Sequence, residues 1–332
     1  MRAMALRHTA PIADRPLRLE QLPTPLPGPG EVLVQVEACG ICRTDLHVIE
    51  GELPPRHPLL VPGHQVVGRV VAHGPGAARF ADGARVGIAW LRATCGRCRF
   101  CGSGRENLCV EARFTGYDAD GGFAEYAVVR EDFAYAIPPD LDAAAATPLL
   151  CAGIIGYRAL RRARIEPGCR LGLYGFGASA HIAIQVARHL GCAVYVMTRD
   201  ARHQALADEL GAVWSGGAAA SPPVPLDSAV VFAPAGELVP AALAALAPGG
   251  TLALAGIYMS AIPALDYARH LFRERSLTSV TANTRQDGEE LLQLAARIPI
   301  QPRTTRFRLE DANDALWQLK HDAISGAGVL VP

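Results

Sequence analysis

A strand, a glycine turn, a helix and a second strand follow one another in the second half of the chain, and this unit constrains the fold most. Apolar runs at Arg170–Tyr174 and Ala193–Met197 flank a helical pattern over Ala178–Leu190. Two strands joined through a helix predict a parallel βαβ unit, whose glycine turn lets the backbone approach a pyrophosphate. The residues that this pattern places at a dinucleotide are Gly175, Phe176, Gly177, Ala178 and Ser179.

Alternating strands and helices continue on the C-terminal side of this unit. Asp227–Phe232 and Gly250–Gly256 are predicted strands with a helix over Leu238–Leu246 between them, and Ser276–Thr281 is a predicted edge strand. The Ala- and Pro-rich segment Gly216–Pro225 is predicted to be a loop. The alternation predicts an α/β fold with a doubly wound parallel sheet.

The N-terminal part has a different pattern, in which short β-like runs are broken by Pro and Gly. Glu31–Ala38 alternates with period two, and Val66–Ala72 and Ala84–Ala89 are further predicted strands. This pattern predicts a barrel-like β domain. The tail from Gln286 onward is expected to return to that domain, because a doubly wound sheet is complete without it.

One short stretch contains the kinds of side chain found in active sites: Gly40-Ile41-Cys42-Arg43-Thr44-Asp45-Leu46-His47. It offers a thiol, a guanidinium, a hydroxyl, a carboxylate and an imidazole. A catalytic zinc ion needs three protein ligands and one open position. Cys42 and His64 can supply two ligands, and Cys151 is the best-placed candidate for the third.

Four further cysteines lie within fifteen residues, at Cys95, Cys98, Cys101 and Cys109. The short gaps let one tight turn direct three sulfurs at a common centre, and the fourth can close a tetrahedron without an open position. Disulfides or free buried thiols are the alternative, and the lack of an export signal favours zinc. The sequence therefore predicts a structural zinc site in a lobe at residues 91–112, called here the four-cysteine lobe.

Composition and charge exclude several classes of function. Half of the 332 residues are hydrophobic, so the chain can bury the cores of two domains. Basic and acidic residues are equal at 32 each, which gives no basic field for nucleic acid. No stretch approaches the roughly 20 apolar residues of a membrane span, and the N-terminus lacks a signal-peptide apolar region. We expect a cytoplasmic protein with no nucleic-acid or membrane partner.

Taken together and in this order, these motifs resemble the zinc-dependent medium-chain alcohol dehydrogenases over essentially the whole chain. The resemblance implies a GroES-like β-barrel catalytic domain at residues 1–152 and 286–332, with a Rossmann domain at 153–285. It also implies a nicotinamide cofactor and two zinc ions per chain, one catalytic and one structural. A homo-oligomer, dimer or tetramer, is expected through the edge strand at Leu277–Val280, because an unpaired apolar edge is usually covered.

By position, the resemblance assigns the catalytic zinc to Cys42, His64 and Cys151. Thr44 would hold the alcohol proton and pass it through the nicotinamide ribose to His47. Asp45 would fix the tautomer of the zinc histidine, and Arg43 would meet the cofactor pyrophosphate. A solvated surface imidazole is the alternative interpretation of His47.

The end of the second Rossmann strand predicts a preference for NADP(H), with NAD(H) possible. An NAD-specific site places Asp or Glu there, and that carboxylate would repel a 2′-phosphate. This chain instead has Thr198, which can donate a hydroxyl, and Arg199, which can form charge-assisted hydrogen bonds to phosphate or stack on adenine. Asp200 is predicted to cap the next helix; a shifted turn would aim it at the ribose instead.

The sequence assigns no clear functional role to the three remaining cysteines or to Gln65, the residue after His64. Cys39 forms a Cys-x-x-Cys with the first ligand and could be redox-active, but the resemblance favours a small core residue. Cys169 and Cys192 flank Rossmann strands and are predicted to be packing residues. Relatives often have Glu after the zinc histidine, whereas this chain has Gln65, which lacks the negative charge.

Three functions are compatible with these patterns. The leading prediction is reversible hydride transfer between a primary alcohol, medium-chain or aromatic, and NAD(P). The alternative enzyme is a zinc-free quinone or enone reductase on the same fold, against which the intact ligand set argues. A binding module built on the four-cysteine lobe is the third. Trp90 and Leu91 are expected to form a hydrophobic wall of the substrate pocket; packing between domains is the other interpretation of Trp90.

Overall fold

The computed structural model describes residues 1–298, 300, 302–324 and 326–332. Contacts divide the chain into two units, Met1–Cys151 with Ala282–Pro332, and Ala152–Thr281. These limits lie within a few residues of the predicted ones. The first unit therefore contains the N-terminal part together with the tail of the chain.

The strands and helices are numbered in chain order. The strands are β1 Arg2–Leu6, β2 Leu17–Gln21, β3 Glu31–Gly40, β4 Gln65–His73, β5 Arg85–Ile88, β6 Leu91–Ala93, β7 Arg113–Phe114, β8 Tyr126–Arg130, β9 Ala134–Ala136, β10 Arg170–Tyr174, β11 Ala193–Met197, β12 Trp214–Gly216, β13 Leu226–Val231, β14 Leu246–Leu254, β15 Ser276–Ser279, β16 Thr304–Arg308 and β17 Ala327–Val331. The α-helices are α1 Arg43–Ile49, α2 Ala143–Ala146, α3 Ala152–Arg162, α4 Ala178–His189, α5 Ala201–Glu209, α6 Leu238–Ala244, α7 Tyr267–His270, α8 Arg285–Ala295 and α9 Ala312–Lys320. Among the described residues no single helix is long and apolar enough to cross a membrane, and only the bent pair Ala143–Leu150 with Ala152–Arg162 reaches that length and composition.

The second unit is built on a six-stranded sheet in the order β12-β11-β10-β13-β14-β15. Every neighbouring pair in this sheet is parallel. The order reverses between β10 and β13, which creates the switch point at which doubly wound sheets bind nucleotides. The predicted doubly wound sheet is confirmed, and the glycine turn follows β10 at that point.

The first unit contains a seven-stranded sheet in the order β16-β17-β3-β4-β5-β9, with β8 also paired to β3. β17 lies antiparallel to β3, with Val329 opposite Gly40 and Leu330 opposite Cys39. Buried residues of β3 and β4, such as Val34, Val66 and Val70, belong to one apolar core. The tail thus returns to the N-terminal unit, as predicted, and supports the strand that leads to Cys42.

Several elements differ from the sequence prediction. The hairpin β1–β2 was not predicted, and neither was β12, which pairs with β11 so that Gly216 lies opposite Met197 and not in a loop. β14 begins at Leu246, where the sequence predicted the end of a helix, because Leu246 pairs with Leu226 before a bulge shifts the register.

Candidate metal centres and cofactor site

Three side chains from distant parts of the chain converge in the first unit. Cys42 caps the N-terminus of α1, His64 directly precedes β4, and Cys151 directly follows the 3₁₀ turn Thr147–Leu150. His64 Nε2 lies 3.4 Å from Sγ of Cys42 and 3.4 Å from Sγ of Cys151. The structure therefore brings together the three ligands that the resemblance assigned.

These distances fit a zinc ion with an open fourth position. Tetrahedral zinc, with Zn–S bonds of about 2.3 Å and Zn–N bonds of about 2.05 Å, places sulfur and nitrogen about 3.6 Å apart. The hydrogen bond with the Cys151 thiol, together with burial, raises the pKa of the Cys42 thiol well above its usual value. A bound cation would offset the cost of holding thiolates in this buried place, so the donor set fits a metal.

One carboxylate joins two of the ligands. Asp45 Oδ1 lies 3.0 Å from Nδ1 of His64, and its Oδ2 accepts the backbone N–H of Cys42 at 2.8 Å. Asp45 and His64 are buried, with only 2% and 1% of their surfaces exposed. Because the imidazole N–H at Nδ1 donates to Asp45, the lone pair of Nε2 faces the two sulfurs, as a metal ligand requires.

The four-cysteine lobe presents a second, closed donor set. Sγ of Cys98 lies 3.5 Å from Sγ of Cys101, and Sγ of Cys95 lies 3.5 Å from Sγ of Cys109 and 3.9 Å from Sγ of Cys101. Tetrahedral zinc places two sulfurs about 3.8 Å apart, whereas a disulfide needs about 2.05 Å. A hydrogen bond from the backbone of Cys101 lowers the pKa of Cys98 to about 7, which favours the thiolate. The geometry fits a structural zinc ion and not a disulfide pair.

The lobe is attached to the rest of the first unit through an ion pair between buried Glu106 and partly exposed Arg285. Glu106 is buried and accepts hydrogen bonds from the backbone N–H, Nε and Nη2 of Arg285, at the start of α8. β6 and β7 also pair across the two ends of the lobe. The lobe therefore combines metal ligation with one charge-assisted contact to a helix of the tail.

Aromatic side chains line one side of the three-ligand centre. The ring of Trp90 lies 5.1 Å from the ring of His64, edge to face. Trp90 also stacks on Phe114, at 4.8 Å between ring centroids, and on Tyr117, at 6.1 Å. Trp90 thus lies beside the zinc histidine, whereas Leu91, the next residue, is fully buried. Sequence analysis missed Phe114 and Tyr117, because nothing in their local pattern connects them to Trp90.

The glycine turn has the backbone that a dinucleotide site needs. Gly175 has φ +86°, and a Cβ there would lie 2.8 Å from the backbone N of Ala233. Gly177 caps α4 without a side-chain hydrogen bond, and a Cβ there would meet nothing within 4 Å. The first N–H groups of the helix, at Ala178 and Ser179, are thus open to an anion. Phe176 is buried, so its contribution to this turn is its backbone.

Two residues that follow β11, Thr198 and Arg199, are the basis of the predicted cofactor preference. Thr198 is buried and donates its backbone N–H to Gly216, while Arg199 is exposed. Asp200 caps α5 by accepting the backbone N–H of Arg202 at 2.8 Å, and it pairs with the Arg202 guanidinium at 2.7 Å. That hydrogen bond to Arg202 holds the pKa of Asp200 below its usual value. Its carboxylate is therefore engaged with its own helix.

The remaining candidates lie on α1. Thr44 is buried and donates its backbone N–H to Cys42 Sγ at 3.3 Å. Nδ1 of His47 lies 2.5 Å from Oε2 of Glu52, a partner that sequence analysis did not find. Arg43 is exposed and donates to Asp322 at 2.7 Å. Thr44 and His47 are three residues apart, so they lie on the same side of the helix.

A nucleotide-binding sheet combined with an open and a closed metal site defines a zinc-dependent dehydrogenase. Residues 28–139 match the family model "Alcohol dehydrogenase GroES-like domain", and residues 180–297 match the model "Zinc-binding dehydrogenase". A relative from Mycobacterium tuberculosis, named probable alcohol dehydrogenase, is 51% identical over 336 residues, which cover 100% of this chain and 97% of the relative.

Solved structures agree with these matches. A cinnamyl alcohol dehydrogenase from Sorghum bicolor superimposes with a TM-score of 0.88 at 28% identity, over 99% of this chain and 97% of the other. Acetophenone reductase from Geotrichum candidum, solved in complex with NAD, gives a TM-score of 0.87 at 26% identity, over 100% and 97%. The chain belongs to the zinc-dependent medium-chain alcohol dehydrogenase family, and it is an NAD(P)-dependent enzyme that interconverts alcohols and carbonyl compounds.

Substitutions in the two metal sites should each lower the zinc content, but they should affect stability and activity differently. The wild type should hold about two zinc ions per chain, and Cys98→Ser and His64→Ala should each lose about one. Cys98→Ser should also lower the melting temperature, because a closed site contributes to folding. His64→Ala should stay folded and lose about 10³-fold or more of its activity, since zinc contributes several kcal/mol at the reacting oxygen. Elemental analysis, thermal melting and kcat measure these effects.

The matched control is Cys39→Ala, which removes a buried thiol three residues before Cys42. This variant should keep both zinc ions and most of its activity. A folded His64→Ala with unchanged turnover would contradict a catalytic role for the three-ligand site.

Asp45→Asn should weaken zinc at the three-ligand site without unfolding the protein. An amide retains one acceptor oxygen, so either the His64 contact or the Cys42 contact is lost. Replacement of such a partner typically lowers metal affinity by about 10–100-fold. Zinc release to a coloured chelator should accelerate accordingly, while the exposed control Asp140→Asn should match the wild type. Equal release rates for both variants would show that Asp45 does not position the ligands.

Proposed function

We propose that this enzyme oxidises medium-chain or aromatic primary alcohols and reduces the corresponding aldehydes. In this proposal the first unit is the catalytic domain, and the second binds the cofactor through Gly175, Phe176, Gly177, Ala178 and Ser179. The observation that carries the substrate class is the stack of Trp90, Phe114 and Tyr117 beside His64. Flat aromatic walls favour apolar and aromatic substrates over small polar ones.

Residues of α1 provide the route for the alcohol proton. Zinc held by Cys42, His64 and Cys151 supplies Lewis acidity, which lowers the pKa of an alcohol. The Thr44 hydroxyl accepts a hydrogen bond from the alcohol and releases its own proton toward His47, one helical turn further on. Glu52 at Nδ1 of His47 orients the ring so that Nε2 is free for this exchange. Arg43, at the start of the same helix, would meet the cofactor pyrophosphate.

A substrate panel tests the proposed class. Benzyl alcohol and hexanol should give kcat/KM values at least about tenfold above ethanol, since each buried methylene contributes about 0.8 kcal/mol. Trp90→Ala should lower kcat/KM for benzyl alcohol by about 10–100-fold and leave ethanol nearly unchanged. The control is Trp317→Ala, a half-exposed tryptophan on α9. The proposal fails if ethanol is as good a substrate as benzyl alcohol.

We propose that NADP(H) is preferred and that NAD(H) is used less well. The acetophenone reductase was solved with NAD, so the choice for this chain depends on its own residues. Arg199 is exposed at the end of β11, Thr198 precedes it, and the nearby carboxylate of Asp200 is engaged by Arg202. A 2′-phosphate here would meet the hydroxyl of Thr198 and the cation of Arg199.

The cofactor preference can be reversed by two substitutions. Wild-type enzyme should favour NADP by about 10–100-fold in kcat/KM, because hydrogen bonds to charged groups contribute about 1.5–3 kcal/mol. Thr198→Asp with Arg199→Val should invert this ratio, whereas Arg18→Val, at an exposed arginine of the first unit, should change it little. Steady-state kinetics with both cofactors give the ratio. A wild type that favours NAD would show that Asp200 reaches the ribose.

We propose that the protein forms a dimer or tetramer through β15. This strand is at the end of its sheet, with no further neighbour among the described residues, and Leu277 on it is exposed. The segment that leads to it also exposes large apolar side chains, at Ile257, Tyr258, Tyr267 and Phe272. An unpaired strand edge beside an exposed apolar surface is typical of an interface.

The oligomer is tested by sedimentation over a range of concentrations. Leu277→Asp should weaken association by about tenfold or more, because a charge would be buried at the interface. Leu26→Asp, at an exposed leucine of the first unit, is the control and should sediment like the wild type. A wild type that is monomeric at all concentrations would contradict the proposal.

We also propose a cytoplasmic location. None of the nine cysteines is in a disulfide, as expected in a reducing compartment. Cell fractionation would test this proposal directly.

A further inference from the structure

Two cysteines outside both metal sites form a close thiol pair in the second unit. Cys169 directly precedes β10 and Cys192 directly precedes β11, and their Sγ atoms are 3.0 Å apart. The strands pair in parallel with Arg170 opposite Ala193, and the N–H of Ala193 donates to Cys169 O at 2.8 Å. The two cysteines therefore stand side by side, one step before the paired residues. Packing alone does not require two sulfurs at this position.

The backbone already has the spacing of a disulfide. Neighbouring strands are about 4.7–4.9 Å apart, and disulfides join Cα atoms that are about 4.4–6.8 Å apart. The two sulfurs need to approach by about 1 Å to reach a bond of about 2.05 Å. A rotation of the side chains can provide this movement while the hydrogen bonds between β10 and β11 stay in place.

A cavity adjoins one of the two cysteines. It has a volume of about 560 Å³, lies at the amino ends of the strands, and is lined by Cys169 together with Arg164, Glu166, Asp227 and Gly249. Cys169 and Cys192 are only 8% and 6% exposed. Cys192 does not line the cavity and donates its thiol to Glu166 O at 3.4 Å. The geometry therefore places Cys169 at the wall of the cavity and Cys192 behind it.

We propose that Cys169 and Cys192 are a redox-sensitive pair, which peroxides convert to an intramolecular disulfide and dithiols reduce again. The sulfur of Cys169 attacks one oxygen of hydrogen peroxide, the O–O bond breaks, and a sulfenic acid and water form. The sulfur of Cys192 then attacks the sulfenic sulfur, its S–O bond breaks, and a second water leaves with the thiol proton. Overall, two thiols lose two electrons and two protons, and one peroxide becomes two waters.

The reaction is slow at neutral pH. Burial and the neighbouring Cys192 thiol raise the pKa of Cys169 to about 12, so the reactive thiolate is scarce. We expect disulfide formation over hours, at the slow end of the usual range. The pair therefore responds to sustained oxidation and not to brief exposure.

The disulfide should stabilise the second unit and leave catalysis intact. It closes a loop that contains β10, the glycine turn and α4, and a loop of this length should raise the melting temperature by roughly 5 °C. The dinucleotide turn at Gly175 and the phosphate site at Thr198 follow the carboxyl ends of the same strands, opposite to the cysteines. We therefore expect kcat/KM for either cofactor to change less than about twofold.

The test uses the zinc-loaded enzyme, exposed to hydrogen peroxide, alkylated, digested without reduction and mapped by mass spectrometry. A peptide that links Cys169 to Cys192 should accumulate while zinc content and kcat/KM are maintained, and the melting temperature should rise until dithiothreitol is added. Cys192→Ser should instead accumulate a sulfenic acid at Cys169, trapped by dimedone, without the rise. Cys39→Ala should form the disulfide as the wild type does.

Mass-spectrometric mapping of disulfides in the wild-type enzyme tests the proposal even if a variant folds poorly. Recovery of both cysteines as free thiols after the peroxide has already released zinc would overturn the proposal. So would a linked peptide that joins either cysteine to another partner in preference to this one. Neither result would affect the assignment of the enzyme as an alcohol dehydrogenase, which rests on other residues.

Discussion

The catalytic centre depends on one buried carboxylate, Asp45. Its two oxygens bind the backbone of Cys42 and the ring of His64. A buried charge of this kind is unfavourable unless it is hydrogen-bonded and balanced by a cation. Because the same group begins α1 as part of a capping box, the start of that helix and the orientation of the zinc histidine cannot vary independently. The metal, the helix start and the ring tautomer form one coupled arrangement.

The sheet of the first unit sets the distance between these two ligands. β3 and β4 pair so that Gly40 lies opposite Gln65, which brings the chain just after β3 and the chain just before β4 together. Gly63 has φ +96°, and a Cβ there would be 2.4 Å from the ring of Phe123. The turn before His64 therefore requires glycine. The pairing of β3 with β4 and the crowded turn at Gly63 therefore fix the position of His64 without the help of a metal.

Local patterns predicted much of the molecule, and contacts between distant segments account for the rest. β10 and β11 have the predicted ends, because the apolar runs are bounded by glycine and polar residues. The four-cysteine lobe was predictable because its ligands lie within one short segment. Cys151 was only a candidate from the sequence, because it lies in an apolar run, and the resemblance assigned it as the third ligand. Phe114, Tyr117 and Glu52 acquire their roles only by folding against Trp90 and His47, which a sequence pattern does not encode.

Strands β3 and β17 are neighbours in space but lie far apart in the chain, with the whole nucleotide-binding unit between them. Val329 and Leu330 pair with the last residues of β3, next to Cys42. During synthesis, all three catalytic ligands and the complete second unit leave the ribosome before β17 is made. The edge of β3 that pairs with β17 therefore stays exposed while the second unit completes its own sheet. The nascent chain thus passes through a stage in which the cofactor-binding half is folded and the metal-binding half is unfinished, and chaperones have most to protect at that stage.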